Sequence, residues 1–340
     1  MEAPPVQYVT TPDGFRIAYC VTGKGMPCVI VPVGFHHIKL MSKVDAYRPW
    51  IAGLAERFML VQYDGRGQGL STRNLAAFSQ DDRLVDLEAV VDHLKLEPAV
   101  LFANGSSGHI AVRLAAKHPN RVRALVLMAC SVTTEPWPSA LLDTLANKDW
   151  DVFLDTLAGG GKSFEEGVAT RELLKQMVTQ ADFALMFSTW QGSRIEEVLP
   201  HVNAPALVIH LQQVLRPSLQ ESAELAARFA NARLVEIPGV RMTPWAVADF
   251  DAAIGIIESF LADLPKPMPP APPGTLPNPL SLREIEVLRL IAAGKTNQQI
   301  AEALVISLNT VARHVSHIFE KTGVANRTEA ANYAHHQGLT

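Results

Sequence analysis

The chain has 340 residues, 48% apolar and 19% charged, with a formal net charge of -4. This is ordinary globular composition, long enough for two domains and a sizeable core. The mild charge neither requires nor excludes a nucleic-acid partner, because a small basic surface can sit within an acidic whole.

No apolar run reaches the ~18 residues of a membrane helix. The N-terminus lacks a basic stretch followed by an apolar one, so no signal peptide is read, the cytoplasm is the expected location, and no membrane association is expected. Cys20, Cys28 and Cys130 are widely spaced and odd in number, which suits free, mostly buried thiols in a reducing compartment. No metal-ligand spacing is present, and no cofactor is expected.

Taken in chain order, short apolar runs alternate with helical stretches. "PCVIVPVG" and "FMLVQYD" read as strands, and "DDRLVDLEAVVDHLKL" as a helix. "AVLFANG" is a strand, "HIAVRLAAKHP" a helix and "ALVLMAC" a strand. "PALVIHL", "LQESAELAARFA" and "RLVEIPG" repeat the rhythm as strand, helix and strand. The alternation predicts a mostly parallel sheet flanked by helices. Residues of about 135–200 break it. They read as helical, carry Trp137, Trp150 and Trp190, and suggest an insertion over one edge of the sheet.

Residues 264–279, "LPKPMPPAPPGTLPNP", are half proline and read as a semi-rigid tether. The remainder parses into four helices. The first, near 281–293, has Ile285, Leu288 and Ile291 on one face and stops at Gly294. The second runs from Asn297 to Leu304, with Ile300, Ala301 and Leu304 inward. Ser307 is the expected N-cap of the third, which carries Val311, Val315 and Ile318. Gly323 ends that region, and "NRTEAANYAHH" makes a fourth. Two short helices joined by a tight turn form a helix-turn-helix pattern.

Ligands of open α/β sheets bind at the carboxyl ends of the strands. Read together, those ends resemble the α/β-hydrolase superfamily over about residues 6–263. The segment "VQYDGRGQGLS" is the most specific match, through Asp64, Arg66, Gly67, Gly69 and Ser71. The resemblance implies an α/β-hydrolase fold with a helical lid over about 135–200, within a domain spanning 1–263. It also implies a nucleophile in a G-x-S-x-G turn.

Here "GHIAVRLAAKHP" fixes the register of that turn and puts Gly105 at the nucleophile position. The acid position falls on Val214 in "HLQQVLRP", and the base position on Met242 in "IPGVRMTPW". Val33 replaces the histidine of the usual His-Gly pair. A triad needs a nucleophile, a base in reach and a group orienting that base, and all three positions lack the functional group.

Serine-His-Asp catalysis is therefore not expected, and Ser106 and Ser107 read as helix-capping residues. His109 is expected to pack or solvate at the helix start, and His210 to be non-catalytic. An alternative keeps an active hydrolase or lyase with a rearranged Ser106-based site, drawing on His36, His37, His109 or His210. On the leading reading, the backbone N–H groups of Ser106 and Phe35, matching the family's oxyanion donors, survive in a pocket. Val33, Phe35, His36, Gly105, Ser106, Trp137, Trp190, Met242 and Trp245 are its candidate lining. Its ligand is small and largely apolar, with a carbonyl or carboxylate group.

Residues 280–340 resemble the LuxR-type helix-turn-helix domain, through Glu286, Leu288, Gly294, Asn297, Ile300, Ser307, Thr310, Val311, His314, Ile318, Lys321 and Arg327, among others. The resemblance implies a small all-α domain whose third helix enters the major groove and whose fourth supports dimerisation. Asn309, Ala312, Arg313, Ser316 and His317 face away from the inner stripe as candidate DNA-binding residues, with Arg313 able to reach a base edge or a phosphate. Thr310, His314 and Lys321 are candidate backbone-positioning residues, and Asn297 and Ser307 complete the candidate DNA-binding set. Ala312 departs from the long polar residue usual there.

The expectation is a cytoplasmic regulator. It joins a catalytically degenerate sensor domain to a DNA-binding domain through the 264–279 tether. It acts as a homodimer on double-stranded promoter DNA under a small-molecule effector.

Overall fold

A computed structural model describes residues 4–41, 43, 47–96, 98–134, 148–158, 164–190, 192–214, 216–240, 250–264, 280–322, 324, 326–336 and 339. The chain divides into two compact units, Met1–Pro265 and Lys266–Thr340.

The first unit begins with β1 (Gln7–Thr10), β2 (Arg16–Thr22), β3 (Pro27–Val31), α1 (Ile38–Met41) and α2 (Arg48–Arg57). It continues with β4 (Met59–Tyr63), α3 (Gln80–Leu94), β5 (Ala99–Asn104), α4 (Ser107–Lys117) and β6 (Val122–Met128). After the lid helices α5 (Trp150–Ala158), α6 (Phe164–Met177) and α7 (Gln180–Trp190) come β7 (Ala206–Gln213), α8 (Leu219–Ala227), β8 (Ala232–Val240) and α9 (Phe250–Asp263).

The eight strands form one sheet in the order β1-β2-β4-β3-β5-β6-β7-β8. Strands β3 to β8 run parallel, as their largely apolar runs alternating with helical stretches predict. At the other edge β1 and β2 pair antiparallel with each other, and β2 pairs antiparallel with β4. A hairpin needs no crossover helix, so it adds no βα rhythm to the sequence.

Alternation along β5 sorts the core. Val100 and Phe102 face Trp50 and Leu54 of α2 and Ile254 and Ile257 of α9. Leu101 and Ala103 face Leu87 and Val90 of α3, Ile110 of α4 and Leu225 of α8. The helices start where the sequence can cap them: α3 and α8 carry reciprocal capping boxes, Ser79 with Asp82 and Ser218 with Glu221. The lid has its own apolar centre of Phe153, Leu154, Phe183, Met186 and Phe187. Cys20, Cys28 and Cys130 are free and buried. Among the described residues, no helix is long and apolar enough to cross a membrane.

The second unit contains α10 (Leu282–Ala292), α11 (Asn297–Leu304), α12 (Leu308–Thr322) and α13 (Arg327–His336). Ser281 with Glu284 and Thr296 with Gln299 form capping boxes on α10 and α11. Ser307 caps α12, its hydroxyl accepting from the Thr310 N–H at 3.1 Å. Gly294 adopts φ +74° after α10, the left-handed conformation that ends helices. Val287, Leu288, Ile291, Ile300, Val311 and Ile318 fill the centre. Gly323 lies outside the described residues.

Candidate functional site

Three elements meet at the carboxyl end of the sheet: the β5–α4 turn, the loop after β3 and the lid. In the turn, Gly105 has φ +51°, and a Cβ built on it would meet nothing within 4 Å. The backbone there has the left-handed shape of a nucleophile turn, with open space where a nucleophile's side chain would stand.

The two serines part company. Ser107 is fully buried and staples the turn: its hydroxyl accepts from the Asn104 N–H at 2.8 Å and donates to the Asn104 carbonyl at 2.9 Å. The capping expected of Ser106 is not made, because its own backbone is already helical (φ -63°, ψ -19°) and its hydroxyl has no hydrogen-bond partner. Its N–H lies at the helix start, among the donors that lack an intrahelical acceptor. Asn104 is 1% exposed, yet neither end of its carboxamide is hydrogen-bonded. Strand alternation puts it on the α2–α9 face, in a row with Met128 and Ile209.

In the loop after β3 stands His36, expected in the pocket wall. It is buried, with Nδ1 2.8 Å from Asp64 Oδ1 and Nε2 3.4 Å from the Tyr47 hydroxyl. Both ring nitrogens are spent holding the loop. Asp64 also accepts from the N–H groups of Ile38 at 3.0 Å and Leu70 at 2.9 Å. A Cβ on Gly69 would fall 2.2 Å from that carboxylate, which explains a glycine in "DGRGQG". Val33 is half-buried. Phe35 joins the lid aromatics, 4.9 Å from the Phe183 ring and stacked on Trp150 at 6.1 Å. Trp190 meets Phe183 edge-on at 5.9 Å, so Phe35 and Trp190 belong to one cluster. The Trp190 Nε1 is buried without a partner.

Val214, expected at the acid position, packs partly buried against the α2–α9 core. Trp137, Met242 and Trp245 lie outside the described residues. The imidazoles considered for a rearranged site bond elsewhere. His109 Nδ1 is 2.8 Å from the Ser193 hydroxyl and its Nε2 3.0 Å from the Ser131 carbonyl. Burial pushes its pKa down to about 4, so it is neutral at physiological pH. His210 Nδ1 is 3.1 Å from the Ser222 hydroxyl, and His37 Nδ1 accepts from the Lys39 N–H at 3.2 Å. Among the described residues, no group of three or more His, Cys, Asp or Glu side chains is placed to hold a metal ion.

In the second unit, Asn309, Ala312, Arg313, Ser316 and His317 are all exposed on the outer face of α12, while Val311 and Ile318 are buried. Thr310 and His314 are half-buried on its flanks. Three of the candidate DNA-binding residues, Lys321, Asn297 and Ser307, also bond within the domain. Lys321 Nζ donates to Glu284 Oε2 at 2.8 Å, tying α12 to α10, and Glu284 is buried. His317 Nδ1 lies 3.7 Å from the same carboxylate. Asn297 accepts from Arg327 at 3.0 Å, and Ser307 Oγ serves the cap. Ion pairs between residues 30 or more apart leave no periodic trace, so the sequence shows Lys321 only as a surface charge.

Residues 278–334 match the family described as bacterial regulatory proteins, luxR family, and residues 29–153 match the alpha/beta hydrolase fold family. The Bacillus subtilis transcriptional regulatory protein LiaR is 50% identical over 60 residues, which cover 18% of this chain and 28% of LiaR. The chain thus spans under a third of that regulator's length. The bifunctional esterase/perhydrolase DCH of Acinetobacter calcoaceticus is 29% identical over 260 residues, 68% of this chain and 91% of that enzyme. The crystal structure of bromoperoxidase from Bacillus anthracis superposes with a TM-score of 0.64 at 17% identity, covering 76% of this chain and 100% of that one. At that identity the likeness concerns the fold. The chain is an α/β-hydrolase domain fused to a C-terminal LuxR-type helix-turn-helix DNA-binding domain.

Proposed function

We propose that the protein is a transcriptional regulator whose α/β-hydrolase domain holds a small, largely apolar ligand without cleaving it. The observation that carries this reading is the turn at Gly105. The shape of a nucleophile turn is kept and its side-chain space is open, beside an unpaired buried Asn104 carboxamide and an unpaired Ser106 hydroxyl. A buried polar group left without a partner costs about 1–3 kcal/mol, so such groups call for a bound molecule or water. The Ser106 N–H at the α4 start adds a donor and the positive end of the helix dipole. Phe35 and the lid aromatics supply apolar wall.

The DNA-binding unit acts as a homodimer on promoter DNA, with the exposed face of α12 in the major groove. Ligand occupancy favours one arrangement of the two DNA-binding heads over another.

Native mass spectrometry of the freshly purified full chain tests the reading. A small molecule released on denaturation is the expected result. Rapid ester or lactone hydrolysis, lost in Ser106→Ala, would overturn it. The second reading, an enzyme using Ser106, draws on the same free hydroxyl. Assays against aryl esters and lactones separate the two.

A further inference from the structure

The start of α12 carries an apolar row beside its polar outer face. Leu308 opens the helix and is 48% exposed, and Ala312, one turn on, is exposed as well. The nearby Leu304, Ile306 and Val315 pack on the centre of the domain, and Leu308 does not. Among the described residues of this unit, the exposed large apolar side chains are Val305 and Leu308. Val305 belongs to the turn: it closes α11 with φ +52°. Packing within the domain gives no account of Leu308.

A recognition helix meets base edges with its N-terminal residues. Helical side chains lean toward the N-terminus, so Leu308 reaches over the start of α12, ahead of Ala312. Asn309 and Arg313, also one turn apart, form a second exposed row next to it. The second row has hydrogen-bonding groups, and the row of Leu308 and Ala312 has none. With only a methyl at 312, the backbone of α12 can come close to whatever faces that row.

The major groove offers such a row one apolar group. Every base edge there shows donors or acceptors, and thymine alone adds a C5-methyl. A leucine laid over the amino group of adenine or cytosine, or over the guanine O6, strips water from a polar group and returns no hydrogen bond. Laid over thymine, it buries the methyl.

We infer that Leu308 is a specificity-determining residue which, with Ala312, packs on thymine C5-methyl groups. The inference rests on α12 entering the major groove, as proposed above. The DNA so chosen carries thymine at one or two fixed positions in each half-site, next to the base pairs addressed by Asn309 and Arg313. Burying one methyl-sized group changes affinity by about 4-fold.

The test uses the full chain. Fragments are enriched by wild type from a random-sequence duplex library. Each is then made with thymidine or with deoxyuridine, which lacks only the C5-methyl, and titrated by fluorescence anisotropy. Wild type is expected to bind the deoxyuridine form at least about 4-fold more weakly. Deoxyuridine at single positions assigns that loss to one or two thymines per half-site. Leu308→Gln should bind both forms alike. Leu308→Ala adds no polar group, and should show a reduced preference even where Leu308→Gln binds too weakly to titrate. Val305→Asn removes the other exposed apolar side chain and should keep the full preference.

Equal binding of the two forms by wild type, a loss spread evenly over all thymines, or a wild-type preference kept in both Leu308 variants would each overturn the inference. Enrichment of discrete fragments alongside any of these results would leave the DNA-reading role standing and this one refuted. Enrichment of no fragment would remove both.

Discussion

The indole of Trp190 lies so close to Gly34 that a Cβ there would fall 2.0 Å from its Cη2. The last residue of lid helix α7 thus rests on backbone of the β3 loop. Gly34→Ala must push the indole away. An overpacked contact typically costs about 1–3 kcal/mol, so the unfolding midpoint in urea should fall by that equivalent. Tryptophan fluorescence is the right probe: all five tryptophans, Trp50, Trp137, Trp150, Trp190 and Trp245, precede the DNA-binding unit. An unchanged midpoint and emission spectrum would show that Trp190 does not rest there.

Gly105→Ser restores the side chain that the turn lacks. Its Cβ meets nothing within 4 Å, and φ +51° costs an L-residue about 1–2 kcal/mol. The variant should fold and still show no turnover of p-nitrophenyl acetate above wild type. A serine needs a base within reach, and His36, His109 and His210 are bonded elsewhere. A burst of nitrophenol would reveal a base outside this scheme.

His109 gives the hydrolase-fold unit a pH dependence. Its pKa is about 4 in the folded unit against an ordinary 6.5, so the unfolded chain takes up the proton first. Stability contributed by the neutral ring is whole above pH 6.5 and is lost as pH falls toward 4. Asp86, held up to about 6 by burial, works in the opposite sense over part of that window and is common to wild type and variant. His109→Asn should therefore show a smaller loss of stability from pH 7 to pH 4.5 than wild type, read by urea melts. Parallel losses in both proteins would remove His109 from the explanation.

On α12, two basic residues should behave oppositely. Arg313 is exposed on the outer face, so Arg313→Ala should leave unfolding unchanged and weaken promoter binding by about 5- to 100-fold. Lys321→Met strands the buried Glu284 carboxylate and should destabilise the DNA-binding unit by about 1–3 kcal/mol. Calorimetry of the full chain and a fluorescence-anisotropy DNA titration separate the two effects. Identical profiles for both variants would contradict the assignment of Lys321 to the interior.

Glu284 also sets an acid limit for that unit. Burial opposes its ionisation, yet hydrogen bonds from Lys321 and Ser281 hold its pKa below the usual 4.5. The stability it contributes is present above pH 4.5 and is lost as pH falls below it through the folded value. Glu284→Gln should lack this acid loss when the calorimetric transition is followed from pH 6 to pH 3.5. An acid profile equal to wild type would place the loss elsewhere.

Much of the fold is legible because its signals are local. Strands β3 to β8 are short, largely apolar runs between helical stretches, and Ser307 followed by Val311, Val315 and Ile318 fixes α12 by capping and helical period. The turn at Gly105 is legible as a strand-to-helix turn, and the structure gives it a left-handed φ of +51°. What escapes is pairing across distance. His36 looks like a pocket residue until Asp64, 28 residues on, takes its ring. Lys321 looks like a phosphate contact until Glu284, 37 residues earlier, claims it. Asn104 becomes conspicuous only by hydrogen bonds it fails to make, which no spacing records.

Selection of sheared genomic DNA by the purified full chain, with and without small-molecule extract from the same cells, addresses both units at once. The expected result is enrichment of a discrete set of promoter fragments by wild type, altered by the extract and absent for Arg313→Ala. Uniform recovery of fragments, or enrichment that the extract never changes, would contradict a ligand-responsive regulator.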